Sequence, residues 1–158
     1  MSVGPQDQFA QLMGEVTAAL NGRSLDAALA ADLNARYPAG GDLVGRIGLA
    51  CREAVAAGWM CQRENGGIRY GRVLKPGPAT HGFSVDVVEM PALAGPHHRH
   101  PNGEIDLVLP IDPGACFDGR PGGWLVYGPG SAHHPTVSGG RAHVLYLLPQ
   151  GAIEFTGA

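Results

Sequence analysis

Apolar residues recur with two different periods along the chain, and the change of period divides it. Near the N-terminus Phe9, Leu12, Met13, Val16 and Leu20 follow the i, i+3, i+4, i+7 spacing of an amphipathic helix, which Asn21-Gly22 stops. A second stripe carries Leu25, Leu29, Leu33 and Tyr37. Ser24 is placed to cap its start, and Pro38 with the glycines after it ends it. A third sets Val44, Ile47, Cys51, Ala54 and Val55 on one face, with Asp42 as its cap and Gly58 as its C-terminal stop. Packing onto a core accounts for all three stripes.

Beyond Gly58 the period shortens. Glu64-Asn65-Gly66-Gly67 is a hairpin signal between the runs Trp59–Arg63 and Ile68–Leu74. Phe83–Met90, Ile105–Ile111, Trp124–Tyr127, Ala142–Leu148 and Ile153–Phe155 follow, separated by turns rich in glycine and proline. Short strands so spaced predict an antiparallel sandwich or barrel. The expected class is α+β, mainly β: a helical segment over residues 1–58 and a β-barrel over residues 59–158, forming one structural unit.

Composition narrows the function. With 44% hydrophobic and 16% charged residues the chain is globular, and 158 residues bury a core without disulfides. The cysteines Cys51, Cys61 and Cys116, odd in number and scattered, read as reduced thiols. A net charge of −3 argues against a nucleic-acid partner. No apolar run reaches membrane-spanning length, and the N-terminal residues lack the basic flank and apolar stretch of a leader. No membrane partner and a cytoplasmic location are expected.

The chemistry gathers in the second half, where all seven histidines lie between His81 and His143. His98 and His100 are two apart, so on an extended chain both imidazoles face one side. Glu104 follows a Pro-Asn-Gly turn and returns a carboxylate to that face. A second tight turn, Gly128-Pro129-Gly130, delivers His133. Three imidazoles and a carboxylate suit one divalent transition metal ion, whether iron, manganese, zinc, nickel or cobalt, and leave positions for water or substrate. His97 and His134 adjoin the ligands; with Glu104 they are the candidates for moving protons or hydrogen-bonding a ligand. His81 and His143 read as structural or exposed. The Gly128–His133 stretch lacks the last glycine and the following helix of a dinucleotide loop, and Ser131 is not in a nucleophile elbow.

The stretch from Gly95 to Glu104 resembles the first motif of the cupin superfamily, and Gly122, Gly128-Pro129-Gly130 and His133 resemble the second. The resemblance implies a single double-stranded β-helix (jelly-roll) barrel with His98, His100, Glu104 and His133 as metal ligands. It also implies a homodimer, because cupins commonly pair through their sheets. Across nearly the full length, His97–Asp112, Gly123–Gly140 and Leu145–Phe155 are similar to the small bacterial family of 4-hydroxylaminobenzoate lyases of 4-nitrobenzoate breakdown. That likeness implies conversion of 4-hydroxylaminobenzoate and water to 3,4-dihydroxybenzoate (protocatechuate) and ammonia. A small aromatic acid needs a cation for its carboxylate. Arg72, Arg99 and Arg120 are the candidates, with Arg72 favoured because strand alternation turns Arg99 away from the ligand face. Tyr127 and Trp124 could line an aromatic pocket, and their parity sets them on opposite sheet faces. The competing readings are a cupin dioxygenase or isomerase on another aromatic acid, and a non-catalytic small-molecule binder.

Overall fold

The computed structural model describes residues 4–158; residues 1–3, part of the N-terminal stretch judged above to lack a leader, lie outside it. Three helices come first: α1 (Pro5–Leu20), α2 (Ala27–Arg36) and α3 (Asp42–Ala57). Their predicted stripes are the buried ones, Phe9, Met13, Val16 and Leu20 on α1, Leu29 and Leu33 on α2, and Val44, Ile47, Cys51 and Ala54 on α3. Two caps differ from expectation. Asp26, not Ser24, caps α2, its carboxylate accepting from the Leu29 N–H at 2.9 Å. Gly41 precedes α3, so Asp42 is the first helical residue and pairs with Arg46 at 3.0 Å. Gly58 ends α3 in the left-handed region, as the sequence predicts. Among the described residues no helix is long and apolar enough to cross a membrane.

Eleven strands follow: β1 (Arg63–Asn65), β2 (Ile68–Leu74), β3 (Phe83–Met90), β4 (His98–His100), β5 (Glu104–Pro110), β6 (Cys116–Phe117), β7 (Gly123–Tyr127), β8 (Ser131–His133), β9 (Val137–Ser138), β10 (Ala142–Pro149) and β11 (Glu154–Phe155). The first is shorter than the predicted Trp59–Arg63. Cys61 takes a positive φ of 57°, which breaks the extended run, and Met60 and Cys61 drop into the core. The main sheet runs β1-β2-β3-β10-β5-β7, a second runs β11-β4-β8, and β6 pairs with β9. Among the described residues every strand pair is antiparallel, and the sheets together make the antiparallel β-barrel that the sequence predicts.

The two faces of the main sheet meet different partners. Val85, Val87, Ile105, Leu107, Leu145 and Leu147 pack outward against the three helices in one hydrophobic core. Val88, Met90, Val108, Val144 and Tyr146 face inward, against Phe117 and Val137 of the small strands. A strand covered on both sides has no solvent face, which is why Leu107 to Leu109 of β5 and Val144 to Leu148 of β10 read as continuous apolar runs rather than alternations.

One polar clamp ties the helical layer to the barrel. The Asn34 side chain on α2 accepts from the Trp124 N–H at 2.9 Å and donates to the Trp124 carbonyl at 3.0 Å. The Trp124 indole donates to the Tyr37 carbonyl at 2.9 Å. Gly123 has a φ of +127°, and a Cβ there would lie 2.8 Å from the Asn34 amide oxygen, so this approach requires glycine. Asn34→Ala strands two backbone groups of a buried residue and should cost about 1–3 kcal/mol. Thermal unfolding should show it as a fall in Tm of about 2–4 °C per kcal/mol; an unchanged Tm would remove the clamp.

A second outward-facing group is polar. His143 on β10 is buried, with its Nε2 3.3 Å from Glu89, which also pairs with Arg69 at 3.0 Å. Burial holds the His143 pKa below its usual value, against the pull of Glu89. The folded state therefore prefers the neutral ring. Its contribution is full above the unfolded value of 6.5 and is lost as pH falls from there through the lower folded value. Chemical denaturation of wild type and His143→Gln between pH 7 and pH 5 should show wild type losing stability relative to the variant. Parallel profiles would overturn this.

Candidate metal centre

The centre is built by two turns and one strand pairing. After β4 the chain turns through Pro101-Asn102-Gly103 into β5, and the His100 carbonyl accepts from Gly103 N–H at 3.2 Å and Gly130 N–H at 2.7 Å. The turn before Glu104 is thereby fastened to the turn before His133. Gly103 has a φ of +87°, and a Cβ there would lie 2.8 Å from the Tyr127 carbonyl. β4 then pairs with β8 so that His98 lies opposite His133 and His100 opposite Ser131. Directly opposed side chains share a face, so the pairing alone brings His98 and His133 together.

The four ligand atoms of His98, His100, Glu104 and His133 lie within 4.8 Å of one another. His100 Nε2 is 3.2 Å from one Glu104 oxygen, and His98 Nε2 is 3.6 Å from the other. His133 Nε2 is 3.2 Å from His98 Nε2 and 3.8 Å from Glu104. Burial pushes the Glu104 carboxyl up, but the His100 and His98 rings facing it prevail and it settles at about 2. The carboxylate is therefore ionised at neutral pH.

Neighbouring side chains fix the imidazoles. Ser131 donates to the Gly128 carbonyl at 2.6 Å, so its hydroxyl oxygen accepts from His100 Nδ1–H at 3.0 Å. Asp118 accepts from His133 Nδ1–H at 2.6 Å and from the Tyr127 hydroxyl at 2.5 Å, while its other oxygen accepts from Thr136 N–H at 3.0 Å. With Nδ1 donating, the Nε2 lone pairs of His100 and His133 face the centre, the tautomer a metal ligand needs. Burial and the Asp118 bond push the Tyr127 phenol well up, so it stays protonated. Behind the cluster, Asp106 is wholly buried, and burial with the adjacent Glu104 charge raises its carboxyl well above the usual range.

Both Glu104 oxygens and His100 Nε2 are buried without a hydrogen-bond partner. Buried polar atoms left so are costly, and a cation among them removes the cost. Three nitrogens and one carboxylate in this arrangement fit a divalent transition metal.

The remaining predicted residues fall in different places. The His97 and His134 rings lie against each other outside the cluster, with centroids 4.8 Å apart and planes tilted by 58°; His97 meets the Thr156 hydroxyl at 2.5 Å and His134 the Gly95 carbonyl at 3.3 Å. Arg99 points outward and pairs with Glu154 at 3.4 Å, and Arg120 is exposed. The Tyr127 ring lies beside the cluster, with centroids 4.6 Å from His133 and 5.5 Å from His100. Trp124 faces the helices instead. Arg72 lines a cavity of about 900 Å³ that opens on the barrel and is walled by His98, Tyr146, Tyr70, Ile153 and Phe155. Asp118 and Ser131 were not picked out as functional from the sequence. Asp118-Gly119 shows there only as a turn signal, and nothing local links it to His133.

A family model described as 4-hydroxylaminobenzoate lyase matches residues 11–155. A 4-hydroxylaminobenzoate lyase of Nocardioides sp. (strain LMS-CY) is 33% identical over 132 residues, 78% of each chain. Another, from Pseudomonas putida, is 29% identical over 167 residues, 95% of each chain. Among solved structures, an RmlC-like cupin protein from Ralstonia eutropha aligns with a TM-score of 0.41 at 15% identity, over 54% of this chain and 57% of its own. The match to the family model spans nearly the whole chain, and the chain belongs to the 4-hydroxylaminobenzoate lyase family.

Proposed function

We propose that this protein is a metal-dependent lyase that converts 4-hydroxylaminobenzoate and water to 3,4-dihydroxybenzoate and ammonia. The observation that carries the reading is the buried, unpartnered Glu104 among three histidines, beside a cavity sized for a small molecule. The reaction is redox-neutral: the N–O and C–N bonds break, two ring C–O bonds form at the carbon that loses nitrogen and at its neighbour, water supplies the additional oxygen, and nitrogen leaves as ammonia.

His98, His100, Glu104 and His133 would hold the ion. A divalent metal supplies Lewis acidity toward a substrate or water oxygen. The chain's own residues do the rest. His98 is the member of the four that also lines the cavity, so the reacting end of the substrate approaches along it. Tyr146 and Phe155 flank that ring, with centroids at 6.2 Å and 5.8 Å, and make an apolar wall for an aromatic substrate. Asp118 holds His133 by its Nδ1–H and holds the Tyr127 proton, so Tyr127 orients rather than donates.

Incubation with 4-hydroxylaminobenzoate, with and without chelator, should give protocatechuate and ammonia by chromatography only while metal is retained. No product from metal-loaded protein would overturn the reaction. Oxygen uptake on another aromatic acid would instead favour a dioxygenase. Asp118→Asn should weaken metal affinity about 10–100-fold with the fold intact, read by metal competition and circular dichroism. Unaltered affinity would free His133 from dependence on Asp118.

A further inference from the structure

The cavity contains three charged side chains other than histidine, Arg63, Arg72 and Asp86. Two of them cancel. Arg72 Nε donates to one Asp86 oxygen at 2.8 Å, and Nη2 donates to the other at 3.3 Å and to the Gly151 carbonyl at 3.1 Å. A carboxylate is gripped by two adjacent N–H groups of a guanidinium. Arg72 has Nη1 left and no free edge to offer, and Asp86 beside it repels an anion.

Arg63 is in the opposite condition. It is exposed, and among the described residues its side chain makes no hydrogen bond or ion pair, so its guanidinium edges are free. Its position is set by the hairpin. Arg63 on β1 lies directly opposite Tyr70 on β2, and directly opposed side chains share a face. Tyr70 and Arg72, two apart on β2, share that face too, and it is the face that lines the cavity. The mouth thus carries one unpaired positive charge. Tyr70 and Phe155, two of the few large apolar side chains left exposed, line the same opening. His98 stands on the wall of the same cavity as part of the metal cluster.

We infer that Arg63 anchors the carboxylate of the aromatic substrate at the cavity mouth, with Tyr70 and Phe155 flanking the ring. A para-substituted benzoate is rigid and holds its two functional groups at opposite ends. An anchor at the mouth therefore turns the other end inward, toward His98. The assignment moves carboxylate binding from Arg72, which the sequence favours, to an arginine that the sequence does not single out. It rests on the reading of the substrate as a 4-substituted aromatic acid.

The test separates the anchor from the reaction. Calorimetric titration of the whole protein with 4-aminobenzoate, which has no N–O bond to break, and with aniline, which has no carboxylate, reads binding alone. Arg63→Gln should weaken 4-aminobenzoate at least 10-fold and leave aniline unchanged, and Arg63→Lys should recover part of the loss. Raising the salt should weaken 4-aminobenzoate binding to wild type and barely affect the Gln variant, because an exposed ion pair is screened. With 4-hydroxylaminobenzoate the Gln variant should raise KM with little change in kcat, the mark of binding shared by ground and transition states. Arg63→Gln binding 4-aminobenzoate as wild type does would overturn the anchor, as would wild type failing to prefer 4-aminobenzoate to aniline. Binding that depends on Arg63 in a protein that forms no protocatechuate would keep the anchor and overturn the lyase reaction.

Discussion

An ionised carboxylate enclosed in a barrel with neither oxygen hydrogen-bonded is the constraint on which the site depends. Glu104 is fully buried, and ring nitrogens of His100, His98 and His133 face it at 3.2, 3.6 and 3.8 Å. Buried carboxylate oxygens left so are costly, and positive charge among them offsets that cost. Much of the surrounding structure holds that arrangement. The β4–β8 pairing sets the imidazoles of His98 and His133 opposite each other, Ser131 and Asp118 fix the tautomers of His100 and His133, and the His100 carbonyl ties the two delivering turns together. Each is a modest interaction. Together they leave the ring nitrogens little freedom to turn away.

The helical layer serves the same end from outside. A barrel sheet that faces its own interior on one side would expose Val85, Val87, Leu145 and Leu147 on the other, and the three helices cover them. The Asn34–Trp124 clamp then joins this cover to β7, the strand that leads through Tyr127 and the Gly128–Gly130 turn to His133. Docking of the helices and placement of the third histidine are mechanically linked through one strand.

The parts legible in the sequence are those set by local repetition. The helix stripes, the runs of β2 and β3, and the His98, His100, Glu104 and His133 set all follow from spacing along a short stretch or from a turn with a known geometry. Sequence and structure part where two neighbours offer the same chemistry. Ser24 and Asp26 are both good caps, and only the chain's path decides that Asp26 meets the Leu29 N–H. The strand expected from Trp59 was cut short by the left-handed Cys61, a position dictated by the core beneath it. Asp118 and Arg63 were invisible for a different reason. The first depends on a bond across the barrel to His133, and the second on a side chain left without a partner among the described residues. Neither property is local.

The cavity mouth and the metal cluster come from separate stretches of chain. Arg63, Tyr70 and Arg72 lie on the first hairpin and Ile153 and Phe155 at the C-terminal end, whereas the four clustered residues lie between His98 and His133. His98 belongs to both. Selection, natural or in the laboratory, can therefore work on recognition and on reactivity almost independently. Substitutions in the hairpin would alter what the cavity admits while the donor set is inherited intact, so a lineage built on this barrel can change its diet without relearning its chemistry.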